Sequence, residues 1–344
     1  MVSIEPKPAF GPGGSQPPLI GLLGAGRMGR GIALAFAFAG HPAVLIDIKE
    51  RPSADFERLR QEALDEVAAG LTTLVRIGAL AEEHTTTVAR RIQVVGRGDA
   101  PAALASVEIL FEGVPETLEA KRSAFEFACR HLGPQAIVAS TTSTILSTEL
   151  AGMVADPGRF LNAHWLNPAF LIPVVELSPH QGTREDVVAA LSDCLRRLGK
   201  RPIRCTATPG YVVPRLQSLI MNEAARMVED GVATPEAIDE AIRYGFGFRY
   251  TTIGAVEFID FGGLDILYHA NRYLTDALGE RYRLAPIVER YMAEGRLGLR
   301  SGQGFYDYPG ADAEAMRTAV LQRQYHLLQY LDAAPKLDAA LASD

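Results

Sequence analysis

Short apolar runs alternate with longer amphipathic stretches over the first 205 residues of the chain. The apolar runs predict buried β-strands, and the stretches between them, with apolar residues every three or four positions, predict helices. Strands that alternate with helices in this way are typical of a doubly wound α/β sheet. The predicted strands cover residues 19–23, 43–47, 92–95, 107–112 and 136–140, with two more between 160 and 179, and the main predicted helices lie within residues 52–91 and 118–132.

The pattern changes after Cys205. The sequence Thr208-Pro-Gly breaks the strand pattern, and from Val213 onward the chain has only helical periodicity and loops. We therefore expect a sheet domain followed by an all-helical C-terminal domain. The predicted segments are a disordered arm rich in glycine and proline (1–17), the sheet domain (18–205), the helical domain (206–310) and a C-terminal helical extension (311–344).

A glycine-rich turn follows the first predicted strand. Gly24, Gly26 and Gly29 form the pattern G-x-G-x-x-G at the start of an alanine-rich helix. In a Rossmann-type fold these glycines permit a tight turn, a close backbone approach to a pyrophosphate, and close packing of helix on strand. The second predicted strand ends in Asp47, where the ribose hydroxyls of a dinucleotide are expected. A carboxylate there favours NAD over NADP, although two basic residues within the next four positions weaken that preference.

One imidazole and one carboxylate interrupt the otherwise apolar residues 160–179. The step Asn167-Pro168 is a turn signal, so the chain can fold back and bring His164 next to Glu176. A histidine held by a carboxylate can move a proton near neutral pH, because the carboxylate fixes the tautomer and stabilises the charged ring. A buried structural pair is the other interpretation, and the nucleotide motif upstream favours proton transfer.

Composition and charge narrow the possible classes of protein. A chain of 344 residues is too long for one core, and a net charge of −7 with a pI near 5.6 argues against nucleic acid as a partner. The three cysteines fit neither a disulfide framework nor a metal site, so we expect a cytoplasmic protein without a bound metal. The first residues lack the apolar core of a signal peptide, and no apolar window is long enough to span a membrane.

Several motifs taken together resemble the 3-hydroxyacyl-CoA dehydrogenase superfamily over about residues 19–308. This resemblance implies an NAD-binding N-terminal domain and an all-helical C-terminal domain that binds substrate and forms a homodimer. The motifs that carry it are Gly24-Ala-Gly26-Arg27-Met28-Gly29, Phe111-Glu112-Gly-Val-Pro-Glu116-Thr-Leu-Glu-Ala-Lys121, Ala139-Ser140-Thr-Thr-Ser143, His164-Trp-Leu-Asn167-Pro168, Glu176, Thr208-Pro-Gly-Tyr-Val and Ser301-Gly-Gln-Gly-Phe-Tyr-Asp-Tyr.

The resemblance also implies roles for individual residues near the reacting carbon. His164 matches the catalytic histidine of the family, and Glu176 matches the carboxylate that orients it. Ser143 matches the serine that hydrogen-bonds the reacting oxygen of the substrate, whereas its neighbour Ser140 is expected to be structural. Asn167, in the motif of the histidine, is expected to contact the substrate.

Further matches concern the cofactor. Glu112 and Lys121 match family residues that line the cofactor side, and Arg27 and Met28 belong to the glycine motif that binds NAD. One position departs from the family: the asparagine expected after Thr-Pro-Gly is Pro214 here. Its substrate contact is therefore absent or supplied by another residue, and proline also suits the first turn of a helix.

A second departure lies in residues 245–254, where the loop is longer than in enzymes that act on CoA esters. The long form is similar to the branch that acts on free hydroxy acids, which includes gulonate 3-dehydrogenase with lambda-crystallin, carnitine dehydrogenase and a vitamin B6-degradation dehydrogenase. Arg249 in this loop offers a planar, permanently charged fork that suits a carboxylate. Tyr250 is expected either to add a hydroxyl to the same pocket or to form its wall.

Residues 52–91, where CoA would lie in the ester-using enzymes, contain no lysine. This favours a substrate without a phosphorylated nucleotide tail. The sequence thus predicts an NAD-dependent dehydrogenase that oxidises the secondary hydroxyl of a small 3-hydroxy acid to the keto acid. Two alternatives stay open: a short-chain 3-hydroxyacyl-CoA dehydrogenase, and a crystallin-like NAD-binding protein with little turnover.

Overall fold

The computed structural model of the protein describes residues 17–335. The chain divides between Ile220 and Met221 into two compact units, here named the sheet unit and the helical unit. Almost all of the predicted N-terminal arm and the last nine residues of the predicted C-terminal extension lie outside the described residues. The predicted domain boundary near residue 206 stays a prediction.

Eight strands form one sheet in the sheet unit. Those predicted from apolar runs are present within two residues of their expected bounds. The strands are β1 (Ile20–Leu23), β2 (Ala43–Ile46), β3 (Ile92–Val95), β4 (Ile109–Glu112), β5 (Ile137–Ser140), β6 (Phe160–Trp165), β7 (Val174–Pro179) and β8 (Arg201–Arg204).

Helices connect most of the strands and make up the helical unit. Threonine side chains cap two of them, at Thr117 and Thr234, each accepting a hydrogen bond from a backbone N–H of the first turn. The helices are α1 (Arg27–Phe38), α2 (Ser53–Arg76), α3 (Thr85–Ala89), α4 (Ala100–Ala105), α5 (Leu118–Cys129), α6 (Ser147–Leu150), α7 (Glu185–Arg197), α8 (Val213–Glu229), α9 (Pro235–Ala241), α10 (Phe248–Tyr250), α11 (Ala255–Gly262), α12 (Leu264–Leu278), α13 (Pro286–Ala293) and α14 (Ala313–Tyr330), with a π-helical segment at Ile242–Gly247.

The strand order is β3-β2-β1-β4-β5-β6-β7-β8, and every neighbouring pair is parallel except β6 and β7. The chain leaves β1 in one direction along the sheet and later returns to its other side at β4. Parallel α/β sheets bind ligands at such a reversal, outside the carboxyl ends of the strands. The predicted Rossmann-type fold is therefore confirmed, and it places the glycine motif at this position.

Apolar side chains from the two faces of the sheet form two separate cores. Ile20 and Leu22 of β1 point into one core with Phe36, whereas Leu23 points into the other with Phe125. This alternation follows from the two-residue period of a strand that is covered by helices on both faces. Both cores hold the ends of the central strands in fixed positions.

Strand β8 was not predicted from the sequence. Its four residues, Arg201-Pro-Ile-Arg, form an edge strand beside β7 and are largely exposed, so no apolar run marks them. Pro202 is compatible with an edge position because one side of an edge strand needs no hydrogen-bond donor.

Residues 221–335 of the helical unit form only helices and loops, as the periodicity after Val213 predicts. Its buried apolar residues are few, and the buried carboxylate of Asp260 in α11 accepts hydrogen bonds from the backbone N–H groups of Phe305 and Tyr306 and from the hydroxyl of Tyr308. Asp260 thus fixes the loop that precedes α14. No helix within residues 17–335 has both the length and the apolar character of a membrane span.

We predict that Gly304→Ala destabilises the protein. A β-carbon at Gly304 would overlap both carboxylate oxygens of Asp260, so the loop or the carboxylate must shift. The free energy of unfolding, measured by denaturant titration, is expected to fall by about 1–3 kcal/mol. Gly262→Ala is the matched control, because its β-carbon would point into open space from a helix; an equal loss of stability in both variants would contradict the prediction.

Candidate active site

The antiparallel strands β6 and β7 place His164 directly opposite Glu176. The imidazole Nδ1 lies 2.8 Å from the Oε2 atom of the carboxylate, and Glu176 is fully buried. A carboxylate at this distance accepts a hydrogen bond, so Nδ1 carries the hydrogen and Nε2 is the basic nitrogen of the neutral ring. The side-by-side arrangement expected from the Asn167-Pro168 turn is present.

The other oxygen of Glu176 accepts two backbone hydrogen bonds. The N–H groups of Val212 and Val213 lie 2.8 and 2.7 Å from Oε1, and Val213 is the first residue of α8. Backbone N–H groups at the start of a helix favour an anion. They therefore stabilise negative charge on the buried carboxylate, which lies beside the imidazole of His164.

The loop after β5 carries Ser143, and a single carboxylate holds this loop. Oε1 of Glu116 accepts hydrogen bonds from the backbone N–H groups of Ser143 and Thr144, each at 3.1 Å, and from the hydroxyls of Thr142 and Thr144. Lys121 Nζ lies 3.2 Å from Oε2. Burial alone would raise the pKa of Glu116, but the hydrogen bonds from Thr142 and Thr144 and the charge of Lys121 hold it at about 2.

Glu112 and Lys121 form a buried ion pair. The Lys121 ammonium lies 3.0 and 2.9 Å from the two oxygens of Glu112, which also accepts hydrogen bonds from Ser140 Oγ and the Val114 N–H. These contacts join the ends of β4 and β5 to the first turns of α5. Ser140 is thus part of the internal network, and the expected contact of Glu112 and Lys121 with the cofactor stays a prediction.

A cavity of about 920 Å³ opens at the ends of β1, β2 and β4. Gly24, Gly26 and Asp47 line it, as do five basic and two further acidic side chains. Asp47 accepts a hydrogen bond from Arg51 Nε at 2.6 Å. Arg51 is one of the two basic residues that weaken the preference for NAD, and it pairs with Asp47 while Asp47 still lines the cavity. The remaining charged lining residues are Arg30, Lys49, Glu50, Arg97, Glu126 and Arg130.

The glycine motif has the geometry that a dinucleotide requires. Gly24 has a φ of +108°, which favours glycine, and a β-carbon on Gly29 would overlap the carbonyl oxygen of Gly24. A β-carbon on Gly26 would meet no atom within 4 Å, so the space beside it is free for a ligand. The residues present therefore fit NAD: the turn and the start of α1 would hold its pyrophosphate, and Asp47 would bind the ribose. Arg27, Met28 and Gly29 form the first turn of α1.

The loop between β6 and β7 contains Asn167, whose peptide bond to Pro168 is cis. The ammonium of Lys200 holds this loop by donating hydrogen bonds to the carbonyl oxygens of Ala169 and Ile172 at 2.6 and 2.7 Å. Burial lowers the pKa of Lys200 to about 8. Lys200 thus fixes the position of the loop on which the predicted substrate residue Asn167 lies.

Arg249 and Tyr250 lie in α10 of the helical unit, directly after the π-helical segment. Arg249 Nε donates a hydrogen bond to the carbonyl oxygen of Gly245 at 2.8 Å, and its guanidinium lies 5.1 Å from the centre of the Phe258 ring. Tyr250 packs against Phe246 and Phe258. Pro214 is the second residue of α8, where a missing N–H costs no helical hydrogen bond.

Two family models match the chain. The model described as "3-hydroxyacyl-CoA dehydrogenase, NAD binding domain" matches residues 19–208, and the model of the C-terminal domain of the same family matches residues 210–308. The chain belongs to the 3-hydroxyacyl-CoA dehydrogenase family. The predicted family and the predicted cofactor are therefore confirmed: the protein is an NAD-dependent oxidoreductase.

Individual relatives agree with this assignment. The dehydrogenase is 35% identical over 293 residues to a 3-hydroxybutyryl-CoA dehydrogenase of Bradyrhizobium diazoefficiens, covering 85% of this chain and 96% of that protein. It is 29% identical over 299 residues to a 5-formyl-3-hydroxy-2-methylpyridine 4-carboxylate 5-dehydrogenase of Mesorhizobium japonicum, covering 87% and 93%. A crystal structure of 3-hydroxyacyl-CoA dehydrogenase from Archaeoglobus fulgidus has a TM-score of 0.71 and 28% identity, covering 92% of this chain and 99% of that one.

The sequence pattern predicted that His164 and Glu176 lie side by side, but it did not indicate three residues that hold this region in place. Glu116 and Tyr211 lie in motifs that carry the family resemblance but had no predicted role, and Lys200 lies outside all of those motifs. Two features of the sequence could have drawn attention to these residues. Glu116 is a second acidic residue four positions after Glu112, and Tyr211 is an aromatic residue directly after Pro-Gly. Neither signal indicates which distant groups the side chain contacts.

We predict that His164→Gln lowers the turnover number of the dehydrogenase by a factor of about 10²–10⁴, the usual contribution of a general base. Binding of NAD, measured by fluorescence titration, is expected to be unchanged, because His164 does not line the NAD cavity. His84→Gln, in an exposed turn, serves as the control. Near-normal turnover by the His164 variant would show that His164 is not the general base.

We predict that Glu116 stabilises the fold in a pH-dependent way. Its pKa is lowered from 4.5 to about 2, so its contribution is complete above pH 4.5 and is lost as the pH falls toward 2. Glu116→Gln is expected to lower the free energy of unfolding at pH 7 by about 1–2 kcal/mol after screening, with a smaller difference at about pH 3. Glu119→Gln, on the exposed face of α5, is the control; a difference independent of pH would refute this assignment.

Proposed function

We propose that this dehydrogenase oxidises the secondary hydroxyl of a small 3-hydroxy acid that carries a free carboxylate. The observation that carries this proposal is the environment of Arg249. Among residues 17–335, no carboxylate forms an ion pair with its guanidinium, which is held by a backbone carbonyl and an aromatic ring. An anchored arginine without an acidic partner is suited to bind an anionic ligand.

The segment around Arg249 supports a ligand-binding role. Arg249 lies two residues after the π-helical residues 242–247, and π-helical turns occur frequently at functional sites. The aromatic rings of Phe246, Tyr250 and Phe258 lie beside one another in this part of the helical unit. The Phe258 ring and the carbonyl oxygen of Gly245 contact the arginine and restrict it to few conformations, so less conformational entropy is lost when its fork binds a carboxylate.

The charge of α2 also supports a substrate without a CoA tail. This helix contains five acidic and three basic residues, which gives a net charge of −2. Two of its arginines, Arg58 and Arg60, already pair with Asp55 and Glu57 of the same helix. A helix with this charge is poorly suited to bind the phosphate groups of CoA.

In the proposed oxidation, each residue of the site has a separate role. Nε2 of His164 accepts the hydroxyl proton, and Glu176 stabilises the imidazolium that results. Ser143 donates a hydrogen bond to the reacting oxygen and Asn167 contacts the substrate. NAD, when bound, supplies the acceptor for the hydride that leaves the same carbon. Because proton and hydride leave together, little negative charge accumulates on the oxygen.

A second candidate is a short-chain 3-hydroxyacyl-CoA thioester as substrate. The relative from Bradyrhizobium diazoefficiens is named for such a substrate and is 35% identical to this chain. The relative from Mesorhizobium japonicum is named for a pyridine carboxylate, which is a free acid, at 29% identity. Overall identity therefore supports both candidates, whereas Arg249 and α2 favour the free acid. A homodimer and a cytoplasmic location are also part of this proposal.

The test measures NADH formation over a panel of 3-hydroxy acids and their CoA thioesters. We predict turnover of free acids, with Arg249→Met lowering kcat/KM for them about 10- to 100-fold, mainly through KM, because a charge-assisted hydrogen bond is lost. Arg249→Lys is expected to recover part of the loss.

The matched control is Arg243→Met, an exposed arginine of the same π-helical segment. Efficient turnover of thioesters together with inactivity toward every free acid would reject the proposal in favour of the second candidate. Absence of NADH formation with either class would indicate a protein with little turnover.

A further inference from the structure

Tyr211 has an unusual backbone conformation next to the proton-transfer pair. Its φ is +43°, in the left-handed region that bulky side chains rarely adopt, and its side chain is buried. Such a conformation persists only where surrounding contacts hold it, and these positions concentrate at functional sites. The contacts of Tyr211 therefore indicate what this strained residue does.

The ring of Tyr211 lies flat against the imidazole of His164. The two ring centres are 4.9 Å apart, and the ring planes differ by 1°. Glu176 holds the imidazole at one edge through Nδ1, and Tyr211 covers one of its faces. Together they restrict both the position of the ring along its plane and its tilt out of that plane, which determines where Nε2 points.

The hydroxyl of Tyr211 connects this stack to the loop that carries Ser143. It donates a hydrogen bond to the carbonyl oxygen of Thr142 at 2.9 Å and accepts one from Nδ2 of Asn162 at 3.1 Å. The same Nδ2 donates to the carbonyl oxygen of Ile145 at 2.9 Å. The two carbonyls lie on either side of Ser143 in the sequence. The loop is therefore held at both ends by the hydrogen-bonded pair of Tyr211 and Asn162, and Tyr211 is the residue that stacks on His164.

We propose that Tyr211 is a positioning residue that fixes the loop of Ser143 relative to the imidazole of His164. One group would thereby set the separation between the base and the hydroxyl that binds the reacting oxygen. This proposal rests on the roles of His164 and Ser143 in the proposed function and is independent of the substrate that the helical unit selects.

A direct chemical role for Tyr211 is less consistent with its surroundings. Burial raises the pKa of its hydroxyl above the usual range, so the group stays protonated near neutral pH. Its proton is already donated to Thr142, and its oxygen already accepts from Asn162. The hydroxyl thus acts as a fixed link between backbone and side chain.

The test is a double-mutant cycle with Tyr211→Phe and Ser143→Ala, using whichever acid or thioester the enzyme turns over. Tyr211→Phe retains the stacked ring and removes both hydroxyl hydrogen bonds. We expect kcat to fall about 10- to 100-fold in the wild-type background, the size of effect that a small misplacement of a catalytic group produces. In the Ser143→Ala background the same change is expected to have almost no effect, because the group that it positions is gone. Tyr330→Phe, at a highly exposed tyrosine, is the control.

Equal losses in both backgrounds would overturn the proposal, as would an unchanged kcat for Tyr211→Phe. Loss of NAD binding or a large fall in unfolding free energy in this variant would assign Tyr211 a structural role only. The stacking of the Tyr211 and His164 rings can also be tested by NMR, which needs no substrate turnover. Tyr211→Leu should shift the ring-proton resonances of His164, whereas Tyr211→Phe should leave them almost unchanged. Failure of the free-acid proposal affects only the choice of substrate, so the two failures are distinguishable.

Discussion

The carboxylate of Glu176 accepts three N–H hydrogen bonds, and the geometry of the candidate site depends on them. One comes from the imidazole of His164 and two from the backbone at the start of α8. Burying a carboxylate without such donors would cost free energy, so the position of Glu176 opposite His164 depends on them. The end of the sheet and the beginning of the following helix must therefore fold together before the base can work.

The sheet unit contains the residues to which we assign proton transfer, and a second group holds each of them or its loop. Glu176 holds His164, Glu116 holds the loop of Ser143, and Lys200 holds the loop of Asn167. These supports are charged groups with several hydrogen bonds each, which limits the positions that the supported side chain can adopt. The helical unit carries Arg249, the residue on which the proposal for a free acid depends.

The sequence predicts the parts of this structure that local patterns determine. Apolar runs mark the first seven strands, the glycine motif and Asp47 mark the cofactor cavity, and the Asn167-Pro168 turn brings His164 to Glu176. The strand at Arg201–Arg204 was missed because a charged edge strand lacks an apolar run. Glu116 and Tyr211 were missed because the loop residues that Glu116 holds lie 26 to 28 residues away in the chain, and the partners of Tyr211 lie 47 or more residues away. Such contacts leave no periodic signal.

The register of β6 against β7 has a consequence for how this site can change. Side chains alternate between the two faces of a strand, so the base and its acid stay together as long as the ladder keeps its pairing. Residues 166–173 lie outside that ladder. Insertions or deletions there would change the shape of the loop that contains Asn167, while the imidazole of His164 and the carboxylate of Glu176 would still face each other. Relatives with unlike substrates could thus share one unchanged proton-transfer pair.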